Sequence, residues 1–207
     1  KAKDLKDKYR PFVFVDPRRI EKEGKEFFDY EVQNGNVVLK DCFIKRYIED
    51  YRFSGFKIYP ALGYYPFDEF LLPLWLYAAQ NQIPIMSHVN VGPIYFRGNK
   101  KAEWGSHPIY RQMTGKEEHE ALLLPELKNK DFQANFTHPL NYLCLVDERL
   151  LRHAVRNAED QRVKDLFGYT DMNTSLKTDL NELKVCMAHM GGEEQWMRFL
   201  EQDRNPY

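Results

Sequence analysis

The sequence predicts an α/β protein organised around a parallel sheet, and three observations carry that expectation. Four short apolar or β-branched runs punctuate the chain: Phe12 to Val15, Phe56 to Tyr59, Ile83 to Ser87 and Leu183 to Ala188. Each is followed by a chain breaker, namely Asp16-Pro17, Pro60 with Gly63, Asn90 with Gly92, and Gly191-Gly192. Stretches of helical periodicity separate them, giving the strand, helix, strand order of a right-handed βαβ unit. The runs are continuous rather than alternating, as strands covered on both faces are.

The elements follow in chain order. After the first strand, Asn36 is placed to cap a helix reaching about Arg52, with Leu39, Phe43, Tyr47 and Tyr51 four apart on one face. Asp68 is placed to cap a helix from Glu69 to Gln80, whose Leu72, Trp75, Leu76 and Ala79 form an apolar stripe; Pro73 fits only near its first turn. The stretch Val89 to Thr137 is polar, broken by Gly98, Gly105, Gly115 and Pro125, and too long for an ordinary βα loop, so it reads as an insertion over the site. His138-Pro139 opens a helical region through about Ala158, and a polar segment from Glu159 to Asn181 precedes the last strand. The whole of 1–207 reads as one domain without internal repeats.

Charge removes several function classes. With 30 Lys and Arg against 31 Asp and Glu, a net charge of −1 gives no general attraction to nucleic acid, acidic polymers or membrane surfaces. No apolar run approaches the roughly 20 residues that span a bilayer. Thirteen Tyr and 14 Phe supply the bulk for a packed core. Cys42, Cys144 and Cys186 are odd in number and lack Cys-x-x-Cys spacing, which fits a reduced, cytoplasmic setting. The partners expected are a small-molecule substrate and, at most, further copies of the same chain.

In a parallel α/β sheet, ligands gather at the carboxyl ends of the strands, where loops and helix N-termini converge. Asp16, Lys57, Tyr59, His88 and His189 stand at such positions. A neutral imidazole there serves as a ligand for Zn²⁺ or as an acid/base near pH 7, and two of them can flank one ion; the competing role for each alone is a structural hydrogen bond. Tyr64, Tyr65 and Asp68 follow the Lys57 strand toward the same mouth, Asp68 more simply as a helix cap. Within the insertion, Arg97 can clamp a carboxylate and Trp104 cover an apolar substrate, with His107 nearby; ordinary surface roles are the alternative. His138 reads as structural, His119 and His153 as exposed, Cys186 as a core thiol, and Cys42 and Cys144 as helix core.

Gly55-Phe56-Lys57-Ile58-Tyr59-Pro60, Pro84-Ile85-Met86-Ser87-His88 and Lys184-Val185-Cys186-Met187-Ala188-His189-Met190-Gly191-Gly192 resemble, in order and spacing, the middle of an amidohydrolase-superfamily barrel, particularly the branch containing aminocarboxymuconate-semialdehyde decarboxylase. The resemblance implies a (β/α)8 TIM barrel whose third to sixth strands are these four. At 207 residues the chain is shorter than the roughly 250 of a complete barrel. That family carries a His-x-His metal pair on its first strand and an Asp ligand on its eighth; no His-x-His occurs in this sequence. The expectation is therefore a partial barrel, poorly stable or associated on its own.

The resemblance also implies a divalent metal, Zn²⁺ or else Mn²⁺, with His88 as ligand and His189 as a ligand to a second ion or the catalytic acid/base beside a single one. Lys57, Tyr59, Tyr65 and Arg97 would bind substrate, Lys57 as an anion contact rather than a bridging carbamate. A metal-dependent hydrolase is the implied activity, with nonoxidative decarboxylation on the same site as one alternative and a non-catalytic scaffold as another.

Overall fold

A computed structural model describes residues 9–89, 92–113, 119–189 and 197. Strand β1 (Phe12–Phe14) leads into helix α1 (Pro17–Glu23), which Asp16 caps by accepting the Arg18 N–H at 3.0 Å. Pro17 then occupies the first helical turn, where a missing N–H costs nothing.

The next segment corrects the sequence reading. Asn36 does not cap a helix: β2 (Tyr30–Gln33) and β3 (Asn36–Leu39) form an antiparallel hairpin. Its two turn residues, Asn34 and Gly35, both take positive φ, 52° and 80°. Asn-Gly is the pair that a tight hairpin turn selects, and it overrides the period-four apolar pattern running through Leu39. Helix begins only at α2 (Phe43–Lys45), with the Cys42 sulfur as cap acceptor, and continues as a π-helical turn over Arg46–Asp50.

Strand β4 (Gly55–Ile58) is followed by a 3-10 turn, Pro60–Leu62, and then by α3 (Leu72–Gln80). The helix starts later than Glu69 because Asp68 closes a local turn instead, accepting the Phe70 N–H at 3.1 Å. Pro73 sits in the first turn of α3. Strand β5 (Ile85–His88) comes next. The long polar stretch after it folds into an antiparallel pair, β6 (Ser106–Met113) and β7 (His119–Leu123), followed by α4 (Asn129–Thr137). Trp104, Phe132 and Phe136 give that stretch a small apolar core of its own.

The region opened by His138-Pro139 is helical, as its pattern implies, in three pieces: a 3-10 turn over Pro139–Tyr142, α5 (Leu143–Val146) and α6 (Glu148–Asn157). The segment after Glu159 is not merely polar loop. Asp160 caps α7 (Gln161–Phe167), which Gly168 stops at φ 64°. Strand β8 (Val185–Ala188) ends the described sheet.

All four central strands run parallel in the order β1-β4-β5-β8. Register places Val13, Phe56 and Ile85 in one row, all buried, and Phe14, Lys57, Met86 and Cys186 in the next, none of them buried. Side chains alternate across a strand, so the sheet has one buried face and one open face. Phe56 meets Trp75 of α3 on the buried face, with ring centroids 6.3 Å apart, and both side chains are fully buried. Trp75 satisfies its indole N–H by donating to the Pro66 carbonyl at 2.7 Å. No helix among the described residues is long and apolar enough to cross a membrane.

Gly55 is where β4 is pressed hardest between its neighbours: a Cβ there would stand 2.3 Å from the Pro84 carbonyl oxygen and 2.7 Å from the Phe12 ring. Gly55→Ala is expected to lower stability by about 1–3 kcal/mol in urea unfolding. Gly105→Ala, where a Cβ would meet nothing within 4 Å, is expected to leave the midpoint unchanged.

Candidate functional site at the strand ends

Parallel order brings the carboxyl ends of β1, β4, β5 and β8 to one edge. A row of rings crosses that edge on the open face. Phe14 lies 5.7 Å from Tyr59, Tyr59 lies 5.1 Å from His88, and His88 lies 4.9 Å from His189, the last pair at 74°. His88 closes β5 in register with Ala188, so the two share a face. Strict alternation would then send His189 to the opposite face. His189 instead takes φ 69° just past the strand end, and its ring meets His88. Positive φ is uncommon outside glycine, although histidine is among the residues that adopt it, and such conformations gather at functional sites.

Burial lowers the His88 pKa, and the nearby His189 and Lys57 lower it further, so the ring is neutral at pH 7 with a lone pair to offer. Burial lowers the Lys57 pKa as well, opposed by the Cys186 thiol. The Lys57 ammonium stands 4.9 Å from the Tyr59 ring and makes no ion pair with a carboxylate among the described residues. Its charge is therefore not compensated by a carboxylate among the described residues. Cys186 is not a core thiol: it is exposed on the open face, in register with Met86 and beside Lys57.

The residues present fit a metal ion in kind and in spacing. Two imidazoles bound to one tetrahedral ion at the usual nitrogen distances have ring centroids about 5 Å apart; His88 and His189 are 4.9 Å apart. The number of ligands is where the fit stops. Among the described residues no group of three or more His, Cys, Asp or Glu is arranged to hold an ion, whereas a catalytic zinc takes three protein ligands.

The chain matches no protein-family model, no curated protein and no solved structure.

The other sequence candidates are placed elsewhere. Tyr65 stacks on Phe67 at 4.9 Å and meets His107 and Phe136 edge-on, outside the ring row. Arg97 is exposed, its guanidinium 4.9 Å from the Tyr95 ring, and makes no contact with the histidine pair. Asp16 is occupied by its capping role and its ion pair with Arg18. Trp104 is buried in the insertion's own core. His138 caps the 3-10 turn after it, accepting the Leu140 N–H at 3.2 Å. Gly191, Gly192 and the helix expected from Glu193 through Trp196, Phe199 and Leu200 lie outside the described residues.

Two groups the sequence named only beside others, His107 in the insertion and Asp68 as a helix cap, have perturbed titrations. His107 is a structural pin: its Nδ1 accepts the Ile109 and Tyr110 N–H groups, which fixes the tautomer, and Nε2 donates to Asn141 at 3.0 Å. Burial drives its pKa down to about 4. Asp68 is the second. Burial raises its carboxyl to about 6, and the charges of Glu69, Glu21 and Asp16 add to the shift.

These two titrations act on stability with opposite signs. His107 binds its proton in the unfolded chain first, so the stability it gives is full above pH about 6.5 and is lost as pH falls toward 4. Asp68 is protonated first in the folded chain, so its contribution grows as pH falls through about 6. In urea unfolding from pH 7 to 4, His107→Gln is expected to remove the loss on acidification, and Asp68→Asn to steepen it. Parallel curves for both variants and the parent would contradict the assignment.

Proposed function

We propose that His88, with His189 beside it, holds a divalent metal, Zn²⁺ or else Mn²⁺, and that the protein is a metal-dependent hydrolase of the amidohydrolase type, acting on a small polar or carboxylated molecule. The observation that carries this reading is the pairing of the two imidazoles at 4.9 Å, achieved by a left-handed backbone at His189. A bound ion would acidify a water toward a pKa of about 7, making a nucleophile at neutral pH.

The protein's own groups have separable roles. His88, kept neutral, is the ligand; His189 is either the second ligand or, with His88 alone on the ion, the group that moves the proton. Lys57 binds a substrate carboxylate, and the Tyr59 ring beside it lies along the substrate body. The (β/α)8 architecture belongs to the same proposal. Its support is the strand order, in which each successive strand of the parallel sheet adds on the same side and one face stays open, an order that a segment of a barrel wall has.

Calorimetric titration of the metal-free protein with Zn²⁺ and with Mn²⁺ tests the reading. One equivalent is expected to bind, at least about ten-fold more weakly after His88→Ala, the loss typical of a removed interaction at a metal site. A similar loss after His189→Ala makes it a ligand, and unchanged affinity makes it the acid/base. No binding, or binding indifferent to His88→Ala, leaves the scaffold reading in its place.

A further inference from the structure

A cleft of about 490 Å³ opens among helix α1, the 63–70 loop after β4 and the 96–108 stretch after β5. That is within the range of small-molecule sites, about 300–1,000 Å³. None of His88, His189, Lys57 and Tyr59 lines it.

Its walls are aromatic. Tyr65, Phe96 and Trp104 line it, with Phe96 and Trp104 edge-on at 5.0 Å. Gly63, at φ 98°, lets the indole lie against the loop: a Cβ there would be 2.9 Å from Trp104 Cη2. Its charge is acidic. Two cations line the cleft, and each already has a partner: Arg18 is paired with Asp16, and Lys101 lies 3.6 Å from Glu103. Glu21, Asp68, Glu69 and Glu159 line it as carboxylates with no ion pair to a cation among the described residues. Glu69 turns one oxygen to the Glu159 and Asp160 N–H groups. Asp68 uses Oδ1 for the Phe70 N–H, while its Oδ2 takes no hydrogen bond among the described residues. Burial is the main cause that raises the Asp68 pKa, and the charges of Glu69, Glu21 and Asp16 raise it further.

A compact metal ion does not suit this lining, because the described carboxylates are not gathered three to a point. An extended cation with an apolar body does: carboxylates neutralise its charge, and ring faces attract it further. The Lys101 ammonium already stands 6.0 Å from the Trp104 ring, so that ring is within reach of a positive charge.

We propose that this cleft binds an organic ammonium ion, a protonated amine with an aromatic or similarly apolar body, with Asp68 as its counter-ion and Tyr65, Phe96 and Trp104 as its walls. The site is separate from the histidine pair and needs no metal.

The test is calorimetric titration at neutral pH, without added metal, with three probes of one shape: phenethylamine, 2-phenylethanol and 3-phenylpropionate. The amine is expected to bind at least about ten-fold more tightly than the alcohol or the acid, the margin of one charge-assisted hydrogen bond. Asp68→Asn keeps the acceptor for Phe70 and is expected to remove at least about ten-fold of the amine affinity. Glu21→Gln, at an exposed position on α1, is expected to weaken the amine by a smaller factor with an unchanged melting temperature, and it tests the charge even where Asp68→Asn fails to fold. Equal binding of amine and alcohol, tighter binding of the acid, no binding of the amine, or amine affinity indifferent to both substitutions would overturn the proposal.

Discussion

The rest of the structure depends on the two-sidedness of its parallel sheet. Parallel strands cannot be joined by tight turns, so each return path carries helix, and those segments bury one face through Val13, Phe56, Ile58, Ile85 and the indole of Trp75. The same register that buries this row sets Phe14, Lys57, Met86 and Cys186 on the other side, where Lys57 keeps its ammonium without a carboxylate partner. Strand polarity then gathers the carboxyl ends at one edge. Fold energetics and the proposed site are thus two faces of one set of strands: apolar residues hold the sheet down, and their alternate neighbours stand on the open face.

At that edge, one backbone torsion decides what meets what. In regular extended geometry His189 would leave on the face opposite His88. The left-handed turn at His189 returns its ring to within 4.9 Å of the first imidazole. Held neutral by burial and by like-charged neighbours, His88 offers a lone pair, while Lys57 supplies positive charge two residues earlier on the adjoining strand. The acidic, aromatic cleft beyond the β4 loop has the opposite electrostatic character, which suits it to a different ligand. One edge of the sheet therefore presents a cationic surface near the histidines and an anionic pocket formed by its loops.

Much of this was legible in the sequence, for physical reasons that differ by element. The four central strands declared themselves because buried parallel strands are continuous apolar runs ended by breakers, and α3 because its apolar spacing leaves no other use for Leu72, Trp75 and Leu76. The hairpin over Tyr30–Leu39 was lost because a period of four at Leu39, Phe43, Tyr47 and Tyr51 imitates a helix; Asn34-Gly35 was the signal that decides it. Helix α7 hid among charges because only Val163 and Phe167 are buried in it. The two histidines were found by their place after strands, but their proximity depends on a torsion no residue pattern announces. Cys186 was misplaced for the converse reason: alternation gave its face correctly relative to Ala188, but not that this face is open. Asp68 looked like a cap, which it is for a turn, and its burial in a cleft arises from loops distant in sequence.

The central claim is that the histidine pair is a metal site, with His88 as the ligand. The most direct measurement is long-range proton–nitrogen correlation NMR of the imidazole nitrogens during Zn²⁺ titration. The account predicts that one His88 nitrogen shifts, saturating at one equivalent, and that a His189 nitrogen shifts with it if His189 is a ligand, while His107 stays unchanged as the fixed tautomer bonded to Asn141. Shifts confined to other histidines, or none at one equivalent, would contradict it.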